Sequence, residues 1–462
     1  MPFNSFENYP MSWRPSIDKS SRSLYKALAA KLEQDVISGE LLPGTKLPPQ
    51  RELADFLDIN VSTVTKAFKA CERKGLLGAT VGSGTYVAFD ALSKARLLAE
   101  GTPRHIIEMG ATVPDDEANE LLVRQLQSMV NESDSARLFS YNRLGDTFWQ
   151  KDAAVMFMKK CGLTARQEDI LFSNGGQNAI AAALSGLFQA GDKIGVAPHT
   201  YSDMKAAAMM LGIQLIPIRQ KDDEFDGDAL RFACKNHGLK AVYVIPDHQN
   251  PTTHTMPAAA RTELASIAQM QDIVILEDCT YRLMSKNKDL PPIAAFAPER
   301  TVFIASLSKA IAPGLRLAYV SVPPAYKTQL SNALYNLNIS VSPLMAELAA
   351  RMVVSGQLDA VLERHLSRTH LRSRIVERYL SGYDCRGEAG CIFRWLLLPG
   401  SITGAAFEAL ALKNGVQVYA AERFAVGTTP PARAVRMAIC APRSTGELEQ
   451  GLAILRGLLD SF

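Results

Sequence analysis

No apolar run in the sequence approaches the ~18–20 residues that a membrane-spanning helix needs. Residues 1–15 hold aromatics and prolines but no continuous apolar core, so no secretory signal is expected. Cys-x-x-Cys is absent. The seven cysteines (Cys71, Cys161, Cys234, Cys279, Cys385, Cys391 and Cys440) are odd in number and scattered. That argues against a disulfide framework or a zinc site and for reduced thiols in a cytoplasmic protein. The seven histidines lack metal-ligand spacing, His365 and His370 being five apart and off the i, i+4 face of a helix, so no metal is expected. Charge of one sign is missing too: 50 Lys+Arg against 47 Asp+Glu leave +3, which is no global field for nucleic acid. With 47% hydrophobic and 21% charged residues the composition is that of a folded protein, and 462 residues allow two or three domains.

Against that plain background one segment carries chemistry. Residues 301–316 read Thr-Val-Phe-Ile-Ala-Ser-Leu-Ser-Lys-Ala-Ile-Ala-Pro-Gly-Leu-Arg. An apolar run ends in Ser306 and Ser308, then Lys309, and Arg316 follows seven residues on. A lysine there can form an imine with an aldehyde cofactor, and the two hydroxyls and the arginine can bind a phosphate beside it.

The first ninety residues have a different character. They carry 11 Lys+Arg and 9 Asp+Glu up to residue 88. Leu24, Leu28 and Leu32 recur at i+4, followed by Val36 and Gly39, which predicts an amphipathic helix with a glycine stop. A turn-rich connector leads to a short helix from about Gln50 to Leu57. Asn60 is a good cap for a further helix reaching about Lys74. On that last helix Val64, Ala67, Phe68 and Cys71 share one face, and Ser62, Lys66, Lys69 and Arg73 the other. Leu76 to Ala88 reads as a β-hairpin with Gly82, Ser83 and Gly84 at its tip. A polar helix face alone is what any solvated helix presents; a hairpin at wing distance makes it a winged helix-turn-helix. Its recognition helix is expected in the major groove, with Ser62, Thr63 and Thr65 near base edges. Lys66, Lys69 and the wing then contact mainly phosphates, and Arg51 is a further DNA-binding residue.

The segments Leu-Pro-Gly-Thr-Lys-Leu-Pro (residues 42–48), Arg51-Glu52-Leu53-Ala54, Ser62-Thr63-Val64-Thr65-Lys66-Ala67-Phe68 and Gly82-Ser83-Gly84-Thr85-Tyr86-Val87 resemble the GntR-type winged helix. Pro49 departs from that pattern, where the family usually has a serine cap. The organisation expected is an N-terminal extension (1–20), the DNA-binding head (21–88), a linker (89–104) and a large domain (105–462).

In the large domain short apolar runs alternate with helical patterns. The runs are Lys193–Ala197, Ala241–Ile245, Ile273–Leu276, Val302–Ala305 and Leu317–Val322. Such runs predict an α/β domain whose largely parallel sheet is covered on both faces. The later strands, Cys391–Leu398 and Ala434–Cys440, are expected in a small C-terminal α+β lobe. Polar residues follow several strands, which is where open α/β sheets bind ligands. A phosphate wants N–H donors at a helix start, and Gly176 and Gln177 open an alanine-rich helix. Asp278 ends an apolar run with Tyr281 just beyond it, Asn250 and Tyr201 follow others, and Arg436 could fork onto a ligand carboxylate.

Asn250-Pro251-Thr252, Asp278-x-x-Tyr281 and Ser306-x-Ser308-Lys309…Arg316 resemble the pyridoxal-phosphate (PLP) aminotransferases of the aspartate-aminotransferase fold, and more closely the kynurenine and aminoadipate aminotransferase subgroup, over about residues 106–462. The resemblance implies PLP as cofactor, Lys309 as its Schiff-base lysine, Asp278 as the carboxylate at its pyridine nitrogen, Asn250 and Tyr281 as donors to its phenolic oxygen, Tyr201 stacked on its ring, and a homodimer. In that family a tyrosine of a Y-x-x-x-G segment reaches the phosphate in the neighbouring subunit, and Tyr141 to Gly145 fits. Two departures stand out: Thr253 replaces the usual glycine after Asn-Pro-Thr, and Phe148-Trp149 replaces a usual Leu-Arg.

A GntR-type head on an aminotransferase-like body resembles the MocR subfamily of bacterial regulators. That implies a transcriptional regulator binding double-stranded DNA with paired half-sites, and an amino compound or PLP itself as effector. The alternative is a working aminotransferase that carries a DNA-binding head, since Lys309, Asp278, Asn250, Tyr281 and Arg436 are all present.

Overall fold

The structure, a computed structural model, describes residues 11–19, 23–38, 41, 45–74, 76–80, 84–88, 106–116, 119–141, 148–221, 223–286, 289–427 and 429–462. The expected linker and Gly82, Ser83 and Gly145 lie outside the described residues.

In the head, helices α1 (Leu24–Ser38), α2 (Gln50–Leu57) and α3 (Val61–Arg73) precede an antiparallel pair of strands, β1 (Leu77–Thr80) and β2 (Gly84–Val87). The cap expected at Asn60 forms: its side chain accepts from the Ser62 N–H at 2.8 Å. Pro49 stands at the cap of α2 without a side-chain bond, and the helix forms regardless. Leu28, Leu32, Val36, Leu53, Val64, Phe68, Cys71 and Val87 close into one apolar core. Trp13 joins that core and donates its indole N–H to Asp35 at 2.8 Å, so the head draws in residues that precede its first helix.

The body opens with a short strand, β3 (Ile107–Glu108). Then come β4 (Ile170–Ser173), β5 (Lys193–Val196), β6 (Gln214–Pro217), the small hairpin β7 (Gln220–Lys221) and β8 (Glu224–Phe225), β9 (Ala241–Val244), β10 (Val274–Asp278), β11 (Thr301–Ser306) and β12 (Ala318–Ser321). Seven of these form one sheet in the order β4-β12-β11-β10-β9-β5-β6. Only β12 runs antiparallel to its neighbours. Strands β9, β10 and β11 are buried along their whole length, which explains their unbroken apolar runs. The chain ends in a lobe holding β13 (Cys385–Arg386), β14 (Phe393–Leu397), β15 (Val416–Gln417), β16 (Tyr419–Ala420) and β17 (Ala434–Ala438). There an antiparallel sheet of order β13-β14-β17-β16 forms, and β15 pairs in parallel with β3, tying the start of the body to its end. This is the α/β architecture that the aspartate-aminotransferase resemblance implies: a mostly parallel sheet plus a small lobe, with a helical head preceding it in the chain. Among the described residues no helix is long and apolar enough to cross a membrane.

Candidate functional site

The carboxyl ends of β4, β10 and β11 deliver their next residues to one cavity of about 290 Å3. Gly176, Gln177, Tyr201, Asn250, Asp278, Tyr281, Ser306, Ser308, Lys309 and Arg316 all line it. Thr112, Asp203 and Thr280 complete the polar wall.

One end of the cavity is built for an anion. The helix Gly176–Leu187 starts there, and its first N–H groups have no intrahelical partner. Gly175 precedes it at φ +88°, a conformation that only glycine adopts freely. A Cβ on Gly175 would lie 2.8 Å from Arg316 Nη2, so the guanidinium occupies the space a side chain would take. Arg316 also reaches the Asn174 carbonyl at 3.4 Å. Ser306 caps the short helix that carries Lys309, accepting from the Ser308 N–H at 3.3 Å.

The middle holds an acid and an amine. Asp278 is buried at the end of β10; one carboxylate oxygen accepts from the Thr280 N–H at 3.0 Å and from its hydroxyl, the other from Tyr243 OH at 2.9 Å. Burial raises its pKa, against the pull of these bonds and of Lys309. Lys309 donates to the Thr112 carbonyl. Its pKa is lowered to about 8, by burial first and then by Arg436 and Arg316. A lysine in that state holds a far larger neutral fraction near pH 7 than a solvated one, as a nucleophilic amine requires.

The other end is guarded by Arg436 on β17. It is buried, and its acceptors among the described residues are neutral: Asn250 Oδ1 and the Gly110 carbonyl, both at 2.6 Å. Its Nε has no partner. Asn250 is thereby turned so that its amide nitrogen is left to donate. Tyr281 is buried with its ring edge against Phe393, at 5.3 Å between centroids. Tyr201 donates its hydroxyl to Asp203 at 2.7 Å. A second, larger chamber of about 690 Å3 opens beyond, sharing Thr112, Tyr201, Asp203 and Lys309 with the first and adding Arg436.

The arrangement suits a phosphorylated aromatic aldehyde. The helix start with Arg316 answers a phosphate, and the buried Asp278 answers a protonated ring nitrogen. Lys309 lies beside both. Tyr141 is not part of this lining; it stands 74% exposed at the surface. Thr112, Asp203, Tyr243 and Thr280, and the part of Gly175 in seating Arg316, are not among the sequence-based expectations. Thr280 sits inside the Asp-x-x-Tyr stretch and Gly175 beside Gly176, so both were within reach of a local signal. Thr112 arrives only through the pairing of β3 with β15.

In the head, Arg51, Ser62, Lys66 and Lys69 are exposed, and Thr63 and Thr65 are half-buried. Thr65 bonds Gln50 at 2.6 Å, clamping α3 to α2. Gly84 has φ +108°, and a Cβ there would press to 2.9 Å from Lys46.

Residues 104–455 match the family described as Aminotransferase class I and II, and residues 24–87 match the gntR family of bacterial regulatory proteins. YdeF, an HTH-type transcriptional regulator of Bacillus subtilis (strain 168), is 56% identical over 462 residues, the whole of both chains. PdxR, the HTH-type pyridoxine biosynthesis transcriptional regulator of Corynebacterium glutamicum, is 25% identical over 349 residues, covering 74% of this chain and 75% of its own. Among solved structures, an archaeal alanine:glyoxylate aminotransferase superposes with a TM-score of 0.73 at 20% identity, over 84% of this chain and 98% of that one.

Proposed function

This chain belongs to the MocR-type HTH transcriptional regulators, a gntR-type head fused to a class I and II aminotransferase domain, and from that premise we propose that it is a PLP-dependent regulator whose DNA binding answers to a small amino compound, or to PLP itself, held at the Lys309 cavity. The observation that carries the reading is the convergence, in one cavity, of a neutral-prone Lys309, a buried Asp278 and an anion cradle at Gly175–Gln177 and Arg316, in a chain whose α3 presents Ser62, Lys66 and Lys69 to solvent. The name of the Corynebacterium relative ties that protein to pyridoxine biosynthesis, which supports PLP as one candidate effector.

When bound, PLP supplies an aldehyde that captures amines and a ring that withdraws electrons from them. The chain's own residues do the rest. Gly176 and Gln177 offer backbone N–H groups to the phosphate, Ser306 and Ser308 add their hydroxyls, and Arg316 adds charge. Asp278, braced by Tyr243 and Thr280, would hold the proton on the ring nitrogen. Asn250 and Tyr281 would donate to the phenolic oxygen, and Tyr201 would stack on the ring. Lys309 would be the amine that takes the aldehyde, and as a free amine it can hold a proton at Nζ. Arg436 would grip the effector carboxylate, since its Nε is unbonded and it forms no ion pair among the described residues.

The protein acts as a cytoplasmic homodimer on double-stranded DNA with paired half-sites. Exposed Val123, Phe139 and Tyr141 support a self-contact on that side of the body, and Tyr141 is the residue assigned to the phosphate of the partner's site. In the groove Ser62, Thr63 and Thr65 read base edges, while Arg51, Lys66, Lys69 and the wing at Gly82, Ser83 and Gly84 hold phosphates. Ligand chemistry at Lys309 biases the head if the two states of the site favour different domain arrangements.

A second reading has its own support: with its pKa near 8, Lys309 is competent as a base, as a working aminotransferase needs. One experiment separates the two. The visible spectrum of the PLP-loaded protein is followed while amines and amino acids are added, alongside the affinity for an operator selected from random duplexes. A sensor gives a stable spectral shift and an altered operator affinity at the same ligand concentration. Keto acid released over many turnovers, with operator affinity unmoved, refutes the regulator reading.

A further inference from the structure

The outer chamber has an unusual distribution of charge along its wall. Lys205 directs its ammonium into the carbonyls of Arg423, at 2.8 Å, and Ala425, at 2.5 Å. Arg423 is neutralised by buried Glu408. Arg436 is a buried guanidinium whose acceptors among the described residues are neutral, like those of Lys205, but its Nε is left over. Facing the same space is Asp203, the one carboxylate among the described residues on this wall. Two hydroxyls fix it: Tyr201 donates to Oδ2 at 2.7 Å and Ser202 to Oδ1 at 3.2 Å. Neither carries charge, and among the described residues Asp203 forms no ion pair. Its negative charge acts on both Lys309 and Arg436, which places the carboxylate within their field.

The chamber thus presents a guanidinium and a carboxylate that feel each other's field but, among the described residues, form no ion pair. A ligand that satisfied Arg436 alone, such as a neutral amino acid, would leave Asp203 facing an apolar side chain. A dicarboxylate would set two like charges against each other. We propose, resting on the reading of Lys309 and Arg436 given above, that Asp203 makes this chamber select an amino compound with a second ammonium group: a basic amino acid whose α-amine meets the cofactor, whose carboxylate meets Arg436 and whose distal ammonium meets Asp203. Asp203 lines both cavities, beside Lys309 in each, so a ligand attached at Lys309 passes it on the way out. Asp203 is exposed at the mouth, where the charge pair is partly screened, so the selection is expected to be about tenfold rather than several hundredfold.

The test compares lysine with norleucine, which has the same carbon chain without the ammonium, and with glutamate. Binding to the PLP-loaded, full-length protein is read by visible absorbance and by calorimetry. Lysine should bind about ten times more tightly than norleucine, and glutamate more weakly than both. In Asp203→Asn the amide still accepts from Tyr201 but carries no charge, so lysine should fall to the affinity of norleucine. Asp203→Glu should keep the order. Equal binding of lysine and norleucine by the unaltered chain overturns the proposal, as does an undiminished preference in Asp203→Asn. If the purified chain takes up no PLP at all, as judged by its own absorbance, the reading of Lys309 falls first and this one with it. Tighter binding of glutamate than of lysine, with PLP bound, sinks this proposal alone.

Discussion

The amine of Lys309 is lowered from 10.5 to about 8 by burial, then by Arg436 and Arg316. Only a neutral amine attacks an aldehyde. At pH 7 a lysine of pKa 10.5 is neutral in about 0.03% of molecules and one of pKa 8 in about 10%, a gain of roughly 300-fold in reactive species. Uptake of PLP by the cofactor-free protein should therefore accelerate about tenfold per pH unit up to pH 8 and flatten above it. Stopped-flow absorbance between pH 6 and 10.5 reads this directly. Arg436→Met removes the nearer-acting of the two guanidiniums. It should move the break toward 10.5 and slow uptake at pH 7, with the two proteins converging at high pH. Circular dichroism confirms that the variant is folded. A break above pH 10 in the unaltered chain refutes the argument, because burial and neighbouring cations would then not be acting on the amine. An unmoved break in Arg436→Met refutes the part assigned to Arg436.

The same shift has a consequence for stability. Between pH 8 and 10.5 the unfolded chain holds one more proton at this lysine than the cofactor-free fold, so stability rises with pH across that window, by at most about 3 kcal/mol. Denaturant titrations of Lys309→Met should lack that rise. The same variant should also give no borohydride-reducible link to PLP while keeping its fold; a persisting link would assign the attachment to another lysine. Gly175→Ala forces a side chain into a positive-φ position and against Arg316, and should weaken PLP affinity at least tenfold, about 1.4 kcal/mol. Equilibrium titration with PLP measures it, and wild-type affinity would falsify the cradle. Lys66→Ala with Lys69→Ala should leave the PLP absorbance intact, weaken operator binding and lower the salt slope of log K by roughly 1.8, two phosphate contacts' worth. An unchanged slope would mean that this face of α3 does not lie on DNA.

What could be read from the sequence follows from where each element sits. Strands β9, β10 and β11 are buried on both faces, so selection for apolar residues acts at every position and leaves continuous runs. Strands β4 and β6 leave no such run. They are the two edges of the sheet, only partly covered, and Gln214 on β6 is exposed. The groups around Lys309 follow the same logic. Asp278 and Ser306 end buried strands, Asn250 lies in the loop six residues after another, and short motifs record them. Thr112 and Tyr243 are invisible locally. The first reaches Lys309 only because β3 pairs with a strand some three hundred residues later, and the second bonds Asp278 across neighbouring strands. Trp13 escaped for a related reason: nothing near it in sequence announces the acid at Asp35 that fixes its indole.

A regulator and an enzyme ask different things of this cavity, and its construction bears on which it can be. Turnover requires that Lys309, once displaced, move a proton and then release the product. A pKa near 8 equips it for the first task, and no group in the wall disables it. Sensing requires that the ligand-bound state persist long enough to bias the head, so release must be slow relative to exchange on DNA. Charges that hold both ends of a ligand work in that direction. Arg436 and Asp203 grip opposite poles of a basic amino acid, and a grip of equal strength before and after the chemistry slows departure without speeding the chemical step. If the two domains are coupled, the coupling must be reciprocal: a ligand that changes operator affinity tenfold has its own affinity changed tenfold by operator. Titrating lysine into the protein with and without operator DNA therefore tests the sensor without reference to any target gene. Identical titrations with and without operator would leave the cavity a binding site with no say over the head.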